Sequence, residues 1–206
     1  MQIATIVIPN LNGKKYLADC FDSLRAQSRQ DFSVILIDNG SVDGSAEFVK
    51  EEYPEVTVKC FAKNQGFCGA VNEGIRMTET KYVILLNNDT IVLPNSIFWL
   101  RMGLYEENRI GATGSMSNSV INGQRIEAKL AGVEEYITYG MAMNIPMENA
   151  MEKKTWLVGF AMLLKRKALD GVGLLDERFS PGQNEDVDLC IRLNLAGWQM
   201  RLCHNS

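Results

Sequence analysis

Histidine is nearly missing from this chain of 206 residues, and the one present, His204, sits at the far C-terminal end. A Ser-His-Asp triad or a multi-histidine metal cluster is therefore excluded, and acid–base chemistry falls to carboxylates. Cys20, Cys60, Cys68, Cys190 and Cys203 are odd in number, show no CxxC spacing and sit within apolar patterns. They read as reduced core thiols of a cytoplasmic protein, with neither a zinc site nor a disulfide frame. Basic excess is absent too: the formal net charge is -4, whereas a nucleic-acid binder would show a basic face. The expected partners are small and metal-bridged, and no nucleic acid is expected. No apolar run is long enough to cross a membrane. Ile3 to Ile8 is too short, lacks a basic flank and breaks at Pro9, so no secretory or transmembrane segment is expected. Neither GxGxxG nor GxxxxGK[ST] occurs, which disfavours a dinucleotide fold and a P-loop. Repeats and low-complexity tracts are also lacking. The length suits one large domain or two closely packed halves.

What is present is organised around Tyr82-Val83-Ile84-Leu85-Leu86-Asn87-Asn88-Asp89-Thr90. An unbroken apolar run that ends in three polar residues reads as a strand covered on both faces, as in a parallel α/β sheet. Ligands in such sheets bind beyond the carboxyl ends of the strands, and the oxygen of Asp89 suits a hard divalent cation bridged to a diphosphate. Taken alone, Asn87, Asn88 and Asp89 fit a polar turn equally well.

The neighbours of this stretch repeat its pattern. Ala4 to Ile8 reads as a strand released by the turn Pro9-Asn10-Leu11-Asn12-Gly13, and Leu17, Cys20, Phe21 and Leu24 place one apolar face on a helix from Lys14 to Ser28. Phe32 to Ile37 is a second strand. Asp38 follows its last apolar residue directly, where a carboxylate can accept an imide or amide N–H from a ligand or stabilise the turn, while Asp43 reads as a helix N-cap. Val56 to Phe61 is a third strand, and the glycines from Lys63 to Gly74 permit close backbone approach to a ligand. A helix through Met77 leads into the Tyr82 strand, so four strands alternate with helices as in a nucleotide-binding half. Pro94 suits the first turn of a further helix, and Ile110 to Ser115 is a short strand. From Met116 to Lys154 the periodicity fades, and this segment reads as a long loop that shapes a substrate-facing surface. Trp156 to Lys165 reads as a strand with Gly159 inside it, a place where a ligand comes close. Glu185, Asp186 and Asp188 open a helix that Gly197 stops, and three acids in four positions exceed what capping needs.

Together, these residues resemble the family 2 glycosyltransferases of GT-A fold. The carriers are Val7-Ile8-Pro9-Asn10-Leu11-Asn12-Gly13, Ile37-Asp38-Asn39-Gly40-Ser41-Val42-Asp43-Gly44-Ser45, Asn64-Gln65-Gly66-Phe67, Leu85-Leu86-Asn87-Asn88-Asp89-Thr90 and Glu185-Asp186-Val187-Asp188-Leu189. Five motifs in family order span nearly the whole chain outside the Met-rich middle. The resemblance implies an α/β, three-layer fold with a mainly parallel central sheet. It further implies inverting, metal-dependent transfer of a sugar from a UDP-, TDP- or GDP-sugar to the hydroxyl of a glycan or lipid-linked acceptor. Cell-surface polysaccharide synthesis, in the manner of a rhamnosyltransferase, is the implied setting, in the cytoplasm at the inner face of the membrane. Asp38 stands where the family reads the nucleobase. Pro9, Asn10, Asn12, Asn64, Gly66, Asn87, Asn88 and Gly159 fall in the nucleotide-sugar site, Asp89 at the Mg²⁺ or Mn²⁺ ligand and Asp186 at the catalytic base. Asn87 departs from the DxD pattern at its first position, which leaves Asp89 as the metal ligand and Asn87 for the ribose.

Residues 1–115 read as the nucleotide-sugar half and 116–206 as the acceptor half of a single domain. The family's further metal-binding histidine lies beyond the last strand. His204 comes too early in that strand's exit, so the chain reads as a catalytic domain cut short. A domain that binds donor without turnover is the competing reading. A sugar-phosphate nucleotidyltransferase would need a Gly-rich loop ending in a basic residue, and Asn10-Leu11-Asn12-Gly13-Lys14 does not resemble one.

Overall fold

The computed structural model describes residues 2–120 and 122–206. Strands and helices alternate through the first half: β1 (Ala4–Asn10), α1 (Lys14–Arg25), β2 (Phe32–Asp38), α2 (Ser45–Glu52), β3 (Thr57–Cys60), α3 (Gly66–Arg76), β4 (Tyr82–Leu86), α4 (Ser96–Gly103) and β5 (Ile110–Ser115). Then follow α5 (Val133–Met143), β6 (Met151–Lys154), β7 (Ala161–Lys165), α6 (Arg166–Val172), α7 (Glu185–Leu195) and β8 (Gln199–Cys203). They form one sheet in the order β3-β2-β1-β4-β7-β5-β8-β6. The block β3-β2-β1-β4 is parallel throughout, β7 runs antiparallel between β4 and β5, and β8 lies parallel to β5 with β6 antiparallel at its edge. Only β7 and β6 therefore oppose the common direction, and the mainly parallel GT-A sheet is found.

Alternation of side chains along the strands divides the core into two layers. Ile6, Ile8, Tyr82, Ile84 and Leu86 face α1 and α4, where Leu17, Phe21, Leu24 and Leu100 meet them. Val7, Val83 and Leu85 face the other side, against Val71 and Ile75 of α3 and Leu189 and Leu193 of α7. All five residues of β4 are buried, each contributing about 1.5–3 kcal/mol on transfer from water. The predicted stripe Leu17, Cys20, Phe21 and Leu24 is buried in full.

Several boundaries differ from the sequence reading. β1 continues through Pro9 and Asn10, which pair with Ile37 and Asp38; its pairing with β4 stops at Val7, so on that side Pro9 breaks no ladder bond. Pro94 lies two residues ahead of α4. The Met116–Lys154 segment contains a helix and a strand where a loop is predicted. No residue of α5 is fully buried; Tyr136, Ile137, Gly140 and Met143 form a half-buried stripe at helical spacing, with Gly140 packed against Leu93. Asn144, just past its end, accepts the Asn95 N–H at 2.7 Å and donates to the Asn205 carbonyl at 2.8 Å. β7 begins only at Ala161, which leaves Gly159 outside the strand. Cys60 is exposed on the edge strand β3, whereas the other four cysteines are buried as expected. No helix among the described residues is long and apolar enough to cross a membrane.

Gly74 is where α3 comes closest to the sheet. A Cβ there would overlap Val7 Cγ1 and lie 3.2 Å from Ile37 Cγ1. Gly74→Ala is expected to destabilise by about 1–3 kcal/mol through overpacking. Urea denaturation of the two proteins measures it, and equal midpoints would mean that α3 is free to lift from the sheet.

Candidate active site

Because β2, β1 and β4 are parallel neighbours, Asp38, Asn10 and Asn87-Asn88-Asp89 all emerge at one edge of the sheet. Asn10 ties this edge together. Its side chain is buried, its Nδ2 donates to Asp38 Oδ1 at 3.0 Å and to Ser41 Oγ at 3.2 Å, and its Oδ1 accepts from Asn88 Nδ2 at 2.7 Å. One amide thus joins the ends of three strands. The bond between Asn88 and Asn10 occupies the space where a Cβ on Gly13 would stand, since that atom would overlap Asn88 Nδ2. Any larger residue at 13 displaces the link.

The flanking turns are held by the same residue types. Asp38 Oδ2 accepts the Ser41 N–H at 3.2 Å, so its buried carboxylate stabilises the turn as well as facing the edge. Asn12, in the left-handed region at φ 51, donates its N–H to Ser41 Oγ and accepts the Val42 N–H at 2.8 Å. Asp43 sits one residue before the α2 N-cap and accepts the Ser45 N–H at 3.0 Å and the Lys14 N–H at 2.9 Å. Asn64 Oδ1 accepts from the Gly66 N–H at 2.8 Å and from Asn39 Nδ2 at 2.9 Å. Asn39 also donates to the Gly66 carbonyl and accepts the Gln65 N–H. Sequence reasoning assigned Asn39 nothing; its place in an Asp-Asn-Gly-Ser turn was the available signal.

Asp89 is exposed, and no described residue forms an ion pair with it. It lines a cavity of about 760 Å³ together with Asn87, Ser115, Tyr136 and His204. Asp38, Asn10, Asn64 and Asp186 lie outside that cavity, so Asp89 stands at the boundary between the Asp38–Asn10 edge and an open chamber. The Asn87 N–H donates to the Phe160 carbonyl at 2.8 Å, and the buried thiol of Cys20 donates to the Asn87 carbonyl. Burial, with Asp89 nearby, pushes that thiol up to about 12, which leaves it inert. His204 Nε2 lies 3.1 Å from Glu152 Oε2. No described group of three or more His, Cys, Asp or Glu side chains could hold a metal ion. One free carboxylate fits Mg²⁺ or Mn²⁺ only in the mode where phosphate and water oxygens complete the shell.

Asp186 occupies the first turn of α7. Its Oδ2 accepts the Gly159 N–H at 3.0 Å and its Oδ1 accepts the Val187 N–H at 2.8 Å, leaving a lone pair on each oxygen. The neighbouring acids behave differently. Asp188 pairs with Arg192 at 2.7 Å, and Arg192 in turn caps the carbonyls of Val172 and Leu174. Glu185 has a buried Oε2 with no partner, and burial, reinforced by Asp186, holds its carboxyl above the usual glutamate range.

A mainly parallel sheet with polar strand ends at one edge and a reversed strand beside them defines the GT-A class of glycosyltransferase fold. The chain belongs to glycosyl transferase family 2, whose model matches residues 5–172. The N-acetylglucosaminyl-diphospho-decaprenol L-rhamnosyltransferase of Mycobacterium tuberculosis is 28% identical over 221 residues, covering 95% of this chain and 70% of that protein. An uncharacterized glycosyltransferase of Rickettsia bellii is 34% identical over 97 residues, 46% of this chain and 14% of that protein. Among solved structures, S. aureus TarS 1-349 superposes with a TM-score of 0.72 at 15% identity, covering all of this chain and 59% of that one. The mannosyltransferase PcManGT from Pyrobaculum calidifontis, solved with GDP-Man and Mn²⁺, gives 0.69 at 17% identity, covering 98% and 56%. The chain thus spans little more than half the length of these two structures.

Asn10→Ala removes the amide that joins β2, β1 and β4. It is expected to cost about 1–3 kcal/mol, because Asp38 keeps a buried oxygen without its donor. Asn88→Ala, which cuts one link only, should cost less. Chemical denaturation ranks the two, and the reverse order would contradict Asn10 as the central tie.

Proposed function

We propose that this chain is the catalytic domain of an inverting, metal-dependent glycosyltransferase that moves a sugar from a nucleoside diphosphate sugar to an acceptor hydroxyl. The observation that carries it is the joined edge: Asp38, Asn10 and Asn88 hydrogen-bonded across three parallel strands, with Asp89 left free beside the cavity. In this reading Asp38 meets the nucleobase N–H, and Pro9, Asn12, Asn64 and Gly66 shape the nucleoside pocket. Asn87 and Asn88 face the ribose, and Gly159 lies against the sugar. Asp89 is the residue that would hold Mg²⁺ or Mn²⁺, which when bound would supply positive charge for the departing diphosphate. UDP-, TDP- and GDP-sugars all fit this scheme. A GDP-sugar with Mn²⁺ occupies the PcManGT neighbour and UDP-GlcNAc a TarS neighbour.

Asp186 is the base. It takes the proton of the acceptor hydroxyl as that oxygen bonds to the anomeric carbon and the bond to the diphosphate breaks on the opposite face. Its two main-chain partners fix the carboxylate without consuming its accepting capacity. The cavity on the Asp89 side, with residues 116–154 forming much of its wall, takes the body of the acceptor, whose reacting hydroxyl reaches past the cavity to Asp186. A lipid-linked glycan is the acceptor class suggested by the mycobacterial relative.

Two expected outcomes test this reading. Asp89→Asn should weaken UDP, TDP or GDP binding in Mn²⁺ far more than binding of the bare nucleoside, by calorimetry. Equal losses for both would reduce Asp89 to a loop residue. Asp186→Asn should keep donor affinity and melting temperature yet lose roughly a hundredfold or more in turnover. Near-normal transfer would remove Asp186 from the mechanism.

A further inference from the structure

Three consecutive main-chain N–H groups, those of Leu157, Val158 and Gly159, are each taken by a side chain. Leu157 N–H reaches Cys190 Sγ at 3.4 Å, and the Cys190 thiol in turn faces the Leu157 carbonyl. Gly159 N–H reaches Asp186 Oδ2 at 3.0 Å. Cys190 and Asp186 are four residues apart and so lie on one face of α7. The middle N–H, that of Val158, donates at 2.7 Å to Gln124 Oε1, which comes from an unrelated part of the chain. Gln124 is fully buried, and its Nε2 donates to the carbonyl of Ser115, the last residue of β5, at 3.0 Å. Its own carbonyl accepts the N–H of Ser117, a residue of the cavity wall.

We infer that Gln124 is a positioning residue for Asp186: through Val158 it fixes the Gly159 N–H that orients the base, and it anchors that segment to the end of β5. The inference rests on Asp186 being the base. Among the described residues nothing else engages the Val158 N–H, and the N–H groups of Leu157 and Gly159 go to α7. The Asn87 N–H ties the next carbonyl, that of Phe160, to the end of β4, so Gln124 is the group that references this segment to β5. Its amide spans both partners at hydrogen-bonding length, so an apolar isostere removes both contacts at once.

A double-mutant cycle on the full-length protein tests this. Gln124→Met should lower kcat by roughly ten- to hundredfold, the scale of a small misplacement of a catalytic group, with donor KM changed less than about twofold. In the Asp186→Asn background the same substitution should cost nothing further, because its effect passes through the carboxylate. Gln124→Glu, which keeps an acceptor for the Val158 N–H, should recover part of the rate. Equal losses from Gln124→Met in both backgrounds, or no loss in the native background, would overturn the inference while leaving Asp186 as base. Near-normal turnover by Asp186→Asn alone would instead overturn the reading of the base. If melting curves show Gln124→Met unfolded, the cycle run with Gln124→Glu decides: a loss confined to the Asp186 background supports the inference, and equal losses refute it.

Discussion

The bonds of Asn10 to Asp38, Ser41 and Asn88 are the contacts on which the polar edge of the sheet depends. Parallel strands deliver their ends to one side of a sheet, but nothing in the ladder fixes the side chains that follow the last paired residue. Here a single buried amide makes that connection, donating toward β2 and accepting from the turn after β4. Asparagine suits the position because it both donates and accepts; an aspartate would repel Asp38, and a leucine would leave the buried Asp38 and the half-buried Asn88 without their partner. Gly13 completes the arrangement by leaving the link its space.

Polar side chains form a second level of order above the sheet. Asp43 and Asn64 close their own turns by accepting main-chain N–H groups two residues on, while Asn12 and Asn39 accept N–H groups of the neighbouring loops, so the loops at this edge are fixed to one another by side chains. The Asp89 side is built differently. Its wall is α5, a helix with no buried residue, held at its C-terminal end by Asn144. Turns held by side chains flank one side of this edge and a half-exposed helix the other.

Where burial is two-sided or striped, the sequence announced the structure. β4 was legible because both faces of it are covered, and α1 because Leu17, Cys20, Phe21 and Leu24 recur at helical spacing. The position of Asp38 at a strand end and of Asp186 in a first helical turn followed from the same patterns. The partners of those residues did not. Asn10 and Asn88 are far apart in the chain and neither belongs to a spacing motif that would pair them. α5 was missed although Tyr136, Ile137, Gly140 and Met143 recur at helical spacing, because that stripe is only half-buried and interrupted by glycine, and Trp156 to Phe160 read as a strand because apolar composition cannot distinguish main-chain bonds made to a strand from bonds made to side chains. Gln124 carries no local signal at all.

The reversed strand β7 has a consequence for how the chain assembles. It lies between β4 and β5, both of which precede it in the sequence, so those two strands cannot be joined through the sheet until the chain has extended past them and turned back. The block β3-β2-β1-β4 is built from consecutive strands, α3 carrying the chain from the β3 edge back over β2 and β1 to β4, and it needs nothing from the second half to complete its ladder. The pairing of β4 with β7 (Leu86↔Ala161) closes over about as much chain as that of β1 with β4 (Ala4↔Tyr82), so the two joints differ in order of synthesis and not in loop-closure entropy. During synthesis the four-stranded parallel block is thus the early product, and the edge of β4 stays open as a template until residues 161–165 emerge to cover it.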